Sequence, residues 1–204
     1  MTTRLLIATA LAGLITPAFA QNNAPASKSV ETIVCIRHGE KPHSGLGQLT
    51  CRGLNRSLAL PDVLLSKYGS PQYIFAPNPA EKSDSDRYYY LRPLATIEPT
   101  AVRCGLPIDT EYGYREIAGL EGELETAKYQ NATVFVAWEH IYLDTFAQDM
   151  MSRHGGDQST VPAWPEDDFD TIFVIRITRS GGTPSVTFTI DHEGLNGSLK
   201  NSCP

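Results

Sequence analysis

The sequence predicts an α/β fold, a three-layer sandwich with helices on both faces of a mostly parallel central sheet. Two observations carry this. Short runs rich in Val, Ile and Phe alternate with longer helical segments, as in chains built from strand–helix–strand units. Two of the runs, Thr32 to Ile36 and Thr133 to Trp138, are apolar enough for strands buried on both faces. No repeat or second domain is visible.

The elements follow in order. After the strand Thr32 to Ile36 comes a helix over Leu49 to Tyr68, with Thr50 near its start and an interruption or bend expected at Pro61. Tyr73 to Ala76 reads as a short strand and Asn78 to Arg87 as a polar loop. A helix over Pro93 to Arg103 uses Pro at its first turn, and Pro107 to Thr110 reads as another short strand. Arg115 to Tyr129 is expected to be helical. Beyond the strand Thr133 to Trp138, a helix from Ile141 to Arg153 stops at Gly155 and Gly156. Thr171 to Thr178 and Ser185 to Ile190 read as an antiparallel pair joined by a turn at Ser180 to Thr183.

Composition indicates an exported single domain. Arg4, the apolar run Leu5 to Ile15, Pro17 and the small-x-small triplet Ala18, Phe19, Ala20 read as a cleavable signal peptide over 1–20. Residues 21–30 read as a flexible lead-in and 31–204 as the domain, periplasmic or secreted and without a membrane span. Loss of Arg4 leaves 16 of 17 basic residues against 23 acidic ones, a net charge near −7. So acidic a chain disfavours nucleic acid as a partner, although a local basic pocket can still hold phosphate. Four cysteines, Cys35, Cys51, Cys104 and Cys203, allow three full pairings. Cys35 reads as a buried free thiol, and Cys51 with Cys104, or either with Cys203, as a bridge. None has zinc spacing, so no metal is expected.

The chemistry begins at Arg37, His38 and Gly39, which follow the first strand directly. A guanidinium can clamp two phosphoryl oxygens, Gly39 permits close backbone approach, and an imidazole held in one tautomer can attack phosphorus. A surface Arg and a turn Gly are the plain alternative. Further on, Arg92 opens a helix, and Glu139 and His140 follow the strand Thr133 to Trp138. Ligands of such sheets collect at the carboxyl ends of the strands, so His38 and His140 can share one crevice. Two arginines and two histidines around one point are costly without an anion, which favours phosphate. A core histidine bonded to backbone is the plain alternative for His140.

Taken with Glu40, Lys41, Pro42, Leu49, Thr50, Gly53 and Arg56, and with Ala95, Thr96, Glu98, Thr100 and Ala101 after Arg92, the pattern resembles the histidine phosphatase superfamily, whose fold is that of phosphoglycerate mutase. The resemblance spans roughly residues 31 to 178 in four ordered pieces. It implies hydrolysis of a small phosphorylated substrate through a phosphohistidine on His38, with Arg37, Arg92 and His140 holding the phosphoryl oxygens and no metal or other cofactor required. It also implies a general acid. Arg115, Glu116, Ile117, Gly119, Glu121 and Gly122 look similar to the segment carrying it, though about two residues shorter. Glu116 is therefore the candidate acid, with Glu139 second, or else a strand-end carboxylate that orients a ring or pairs with Lys41. A catalytically weak phosphate-ligand binding protein of the same fold is the alternative function.

Other residues are set aside or left open. Arg87 and Arg103 rival Arg92 as the second arginine. Arg153, His154, Gly155 and Gly156 repeat the Arg-His-Gly string at a helix end, so His154 is expected to face solvent, and His43 and His192 read as surface residues. Asn78 to Tyr90, with three consecutive tyrosines, and Val161 to Asp170, with Trp164, are the expected rims of the site. The identity of the substrate and the oligomeric state are open.

Overall fold

A computed structural model describes residues 28–82 and 87–204. Its strands are β1 (Ser29–Arg37), β2 (Tyr73–Phe75), β3 (Thr133–Trp138), β4 (Thr171–Arg179) and β5 (Ser185–His192), in the sheet order β2-β3-β1-β4-β5. The helices are α1 (Cys51–Tyr68), α2 (Arg92–Cys104), α3 (Ile117–Leu124) and α4 (His140–Arg153). The signal-peptide reading lies outside the described residues. Ser29 and Val30, expected in the lead-in, instead begin β1, because both pair with the end of β4.

The sheet is mixed, not mostly parallel. β2, β3 and β1 are parallel neighbours, whereas β4 is antiparallel to β1 and β5 to β4, and these two antiparallel ladders are the longer ones. The reason lies between α4 and β4. Residues 165–168 return to the carboxyl end of β1, where their carbonyls meet Arg37, so β4 starts at that end and runs the other way.

Strand alternation sends side chains to two cores. Ile33, Val134 and Phe173 lie in one cluster with Leu120 of α3 and Phe146 of α4; Val34, Phe135 and Val174 lie in the other with Leu60 of α1 and Ile97 of α2. Thr50 caps α1 by accepting from Gly53 N at 3.1 Å, and the helix runs through Pro61 without interruption. Gly105, at φ 64°, ends α2 in the left-handed region where glycine is favoured. The strand expected at Pro107 to Thr110 is reduced to one bridge, Asp109 with Phe75. The long helix expected over Arg115 to Tyr129 is α3 followed by a short 3₁₀ turn at Ala127–Tyr129. No helix among the described residues is long and apolar enough to cross a membrane.

Arg56 of α1 joins distant parts of the chain. Its fully buried guanidinium takes both oxygens of Glu40, at 3.1 and 2.9 Å, and also reaches Glu193, Asp170 and Asn196. Burial, outweighing the attraction of Arg56, pushes the Glu193 carboxyl up to about 8. Arg52 and Asn55 bind carbonyls of the same C-terminal segment, and Cys51 is bridged to Cys203. Cys35 is buried and free, and Cys104 is also free.

The bridge closes a loop of 152 residues in sequence separation, so Cys203→Ser is expected to cost about 2–5 kcal/mol of unfolding free energy. Chemical denaturation of the two proteins measures this, and equal midpoints would contradict it.

Candidate active site

Parallel pairing sets the site. Arg37 lies opposite Trp138 in the β1–β3 register, and His38 N donates to Trp138 O at 3.1 Å, so both strands end at one level. Their next residues therefore emerge side by side. The chain then turns sharply at each end. After β1, Gly39 N donates to Thr96 Oγ1 of α2 at 2.9 Å, and Thr96 in turn donates to Arg92 O at 2.8 Å. A Cβ on Gly39 would stand 3.0 Å from Gly53 O and one on Gly53 2.5 Å from Glu40 O, so the two glycines let the loop lie on the first turn of α1.

His38 is 1% exposed, not in the open crevice the sequence suggested, because the rings of Tyr90 and Phe169 flank it at 6.0 and 6.2 Å. Its Nδ1 lies 2.8 Å from Gly39 O. A carbonyl only accepts, so Nδ1 carries the proton and the lone pair sits on Nε2. Burial, then the positive charge of Arg92, and further Arg37 and Lys41, push this ring well below the ordinary histidine value against the opposing Gly39 bond. The neutral ring is the nucleophilic one.

Arg37 is wholly buried, and its Nη1 donates to Pro165 O, Glu166 O and Asp168 O at 3.2, 2.6 and 2.9 Å. Phe169 covers the guanidinium at 4.1 Å. Among the described residues its Nε and Nη2 have no partner. Burial weakens its hold on the proton, opposed by Glu139, Tyr90, Asp168 and Glu166. Arg92 lies over the Tyr90 ring at 4.4 Å, and its buried Nε likewise has no partner. The rivals differ: Arg103 pairs with exposed Asp62 at 3.0 Å, and Arg87 is exposed beside Tyr88.

His140 is the first residue of α4, and Glu139 is its N-cap, accepting from Ile141 N and Tyr142 N at 2.9 and 3.3 Å. The other Glu139 oxygen lies 2.6 Å from His140 Nδ1, a close charge contact without the alignment of a hydrogen bond. Burial opposes ionisation of Glu139, but the His140 contact and the backbone N–H groups hold the carboxyl below the usual glutamate value. Glu139 acts electrostatically on Arg37, Lys41 and Tyr90. The chain has already turned at this cap, so Glu139 and His140 need not point to opposite faces.

Glu116 is exposed at the start of α3, and its carboxylate accepts from Gly113 N at 2.8 Å. Because α3 starts two residues into the expected helix, Glu116 serves the turn before it. His154 is corrected: its side chain is buried and bonded to Glu125 at 3.0 Å. Trp164 is no rim residue either, being packed on Phe173 at 4.4 Å. Tyr90 and Phe169 lie in the two segments expected as rims, Asn78 to Tyr90 and Val161 to Asp170, and there they flank the His38 ring.

Solved structures share this arrangement of elements. One is the mycobacterial glucosyl-3-phosphoglycerate phosphatase, with 12% identity and a TM-score of 0.53 over 78% of this chain and 97% of that one. A candidate phosphohistidine phosphatase, SixA, from Nakamurella multipartitia has 16% identity and a TM-score of 0.51 over 83% and 98%. The phosphoglycerate mutase of Plasmodium falciparum has 9% identity and a TM-score of 0.50 over 79% and 89%. The chain has the fold of the histidine phosphatase superfamily. No family model matches the sequence, and no curated protein matches it.

The lowered proton affinity of His38 is directly measurable. By NMR titration its ring is expected to have a midpoint below the ordinary 6.5, the resonance being assigned by its loss in His38→Ala. A midpoint at or above that value would contradict the electrostatics described.

Proposed function

We propose that this protein is a hydrolase of phosphomonoesters that works through a phosphohistidine on His38. One observation carries the reading: buried N–H donors of Arg37 and Arg92 have no partner among the described residues and surround a neutral imidazole whose Nε2 lone pair is uncommitted. Unpaired buried donors are destabilising, and a phosphoryl group, with several acceptor oxygens, satisfies them together. A relative of this fold, the mycobacterial glucosyl-3-phosphoglycerate phosphatase, has been solved in complex with inorganic phosphate.

In this reading Nε2 attacks phosphorus as the ester P–O bond breaks, and the electron pair leaves on the ester oxygen. Arg37, Arg92 and His140 hold the equatorial oxygens, where the transition state carries its charge. The leaving oxygen takes a proton from the Glu139–His140 pair. Water then attacks the phosphohistidine and returns a proton to that pair, and the N–P bond breaks to release orthophosphate. Substrate reaches Nε2 past Phe169, the more exposed of the two flanking rings. Side chains supply the charge that a metal would, so activity is expected to survive EDTA. The signal-peptide pattern of residues 1–20 further suggests an exported enzyme, and the Cys51–Cys203 bridge is compatible with an oxidising compartment.

His38→Ala is expected to abolish phosphate release from an aryl phosphate, and acid quench of the wild type during turnover to trap phosphate on His38. Label on another residue would overturn the mechanism; tight phosphate binding with no turnover would favour the binding-protein alternative. Arg92→Ala is expected to cost about 3 kcal/mol of transition-state stabilisation, roughly a hundredfold in kcat/KM. A larger loss from Arg87→Ala or Arg103→Ala would move the second-arginine role. The proton donor is read from leaving groups: Glu139→Gln should slow an alkyl phosphate far more than nitrophenyl phosphate, whereas Glu116→Gln should leave their ratio unchanged. The reverse pattern would return the acid role to Glu116.

A further inference from the structure

Tyr90 is 2% exposed, yet its hydroxyl makes no well-aligned hydrogen bond among the described residues, although the Arg92 guanidinium stands close enough to act on its oxygen. It precedes Arg92 by two residues and is held from both sides, with its own N–H on Glu81 O at 2.8 Å and Leu91 N–H on Gly47 O at 2.9 Å. Its ring stacks on Tyr114 at 4.5 Å, lies under the Arg92 guanidinium at 4.4 Å, and meets the His38 ring nearly edge-on, at 83°. The charged groups acting on it, Arg92, Glu139 and Arg37, are those of the active site.

Packing explains the ring and not the oxygen. A phenylalanine would make the same stack, the same edge contact and the same cation–π contact without burying a polar atom. Four other site atoms share this condition: Arg37 Nε, Arg37 Nη2 and Arg92 Nε, all donors, and His140 Nδ1, which stands 2.6 Å from a Glu139 oxygen. Burial raises the Tyr90 phenol well above its ordinary value, so the oxygen keeps its proton and is a donor as well.

We propose that Tyr90 is a further ligand of the phosphoryl group, donating its Oη–H to a non-bridging phosphate oxygen alongside Arg37 and Arg92. The assignment rests on the phosphoryl-transfer reading of the site. It extends the anion cradle by one neutral donor, which adds a hydrogen bond without adding repulsion to the two arginines. Tyr90 thereby takes the phosphate and leaves proton transfer to the Glu139–His140 pair.

The test is Tyr90→Phe in the intact chain, with orthophosphate binding followed by calorimetry and thermal unfolding without phosphate. Wild type is expected to bind orthophosphate and the variant to bind it about tenfold to a hundredfold more weakly, as for a lost bond to a charged acceptor. kcat/KM for phenyl phosphate should fall by a similar factor. Without phosphate the variant's Tm should be equal to or above that of wild type, because a buried hydroxyl without a well-aligned hydrogen bond is gone. Equal phosphate affinity in the two proteins would overturn the assignment of Tyr90 and leave the phosphatase reading intact. A lowered Tm in phosphate-free variant would show a structural role for the hydroxyl and also overturn it. Failure of wild type to bind orthophosphate or turn over phenyl phosphate would overturn the underlying reading of the site.

Discussion

The pairing of β1 with β3 is the constraint on which the site depends. With Arg37 opposite Trp138, two parallel strands end at the same height, and the residues that leave them, His38 on one side and Glu139 with His140 on the other, enter the same space. A slip of one residue would send every side chain of β1 to the other face and separate the two histidines. The register is held by the alternating burial of Ile33, Val34, Cys35 and Ile36 in two different cores. Side chains far from the chemistry thus determine its geometry.

Three buried arginines show how the fold treats charge in different ways. Arg56 is surrounded by Glu40, Asp170 and Glu193 and uses its donors on protein acceptors, which makes it a structural joint between α1, the loop after β1 and the C-terminal segment. Arg37 is half satisfied: one nitrogen is fixed by three carbonyls while two others have no partner among the described residues. Arg92 has an aromatic ring beneath it and an Nε that has no partner among the described residues. Completed pairing marks a group the fold uses for itself. Incomplete pairing at Arg37 and Arg92 is what the proposed phosphate ligand would complete, since preorganised donors need not reorganise during reaction.

Glu139 illustrates how a helix terminus can do two things at once. One carboxylate oxygen satisfies the first N–H groups of α4, and the other stands against His140. The cap holds the carboxylate in place, and the carboxylate supplies a counter-charge to the ring when it is protonated. Glu116 also serves a turn, through Gly113 N, and its side chain there is exposed, whereas Glu139 is half-buried against His140. Two glutamates with similar local roles differ in surroundings because of where their helices start.

Local features of the sequence determined much of this protein. Apolar runs located β1 and β3, Thr50 and Gly53 marked the start of α1, and the Arg-His-Gly string placed Arg37 and His38 at a strand end, because strand alternation, capping and close glycine approach are short-range properties. The same logic separated Arg37, after a strand, from Arg153, at a helix end. Tertiary structure alone decided what depended on distant chain segments. The direction of β4 follows from the return of residues 165–168 to Arg37, and the choice of Cys203 as partner for Cys51 follows from the C-terminal segment folding onto α1. Tyr90 and Phe169 flank His38 because two loops, remote in sequence, close over the ends of β1 and β3. Burial and unpaired hydrogen bonds are properties of those assembled surroundings, which no local pattern of residues encodes.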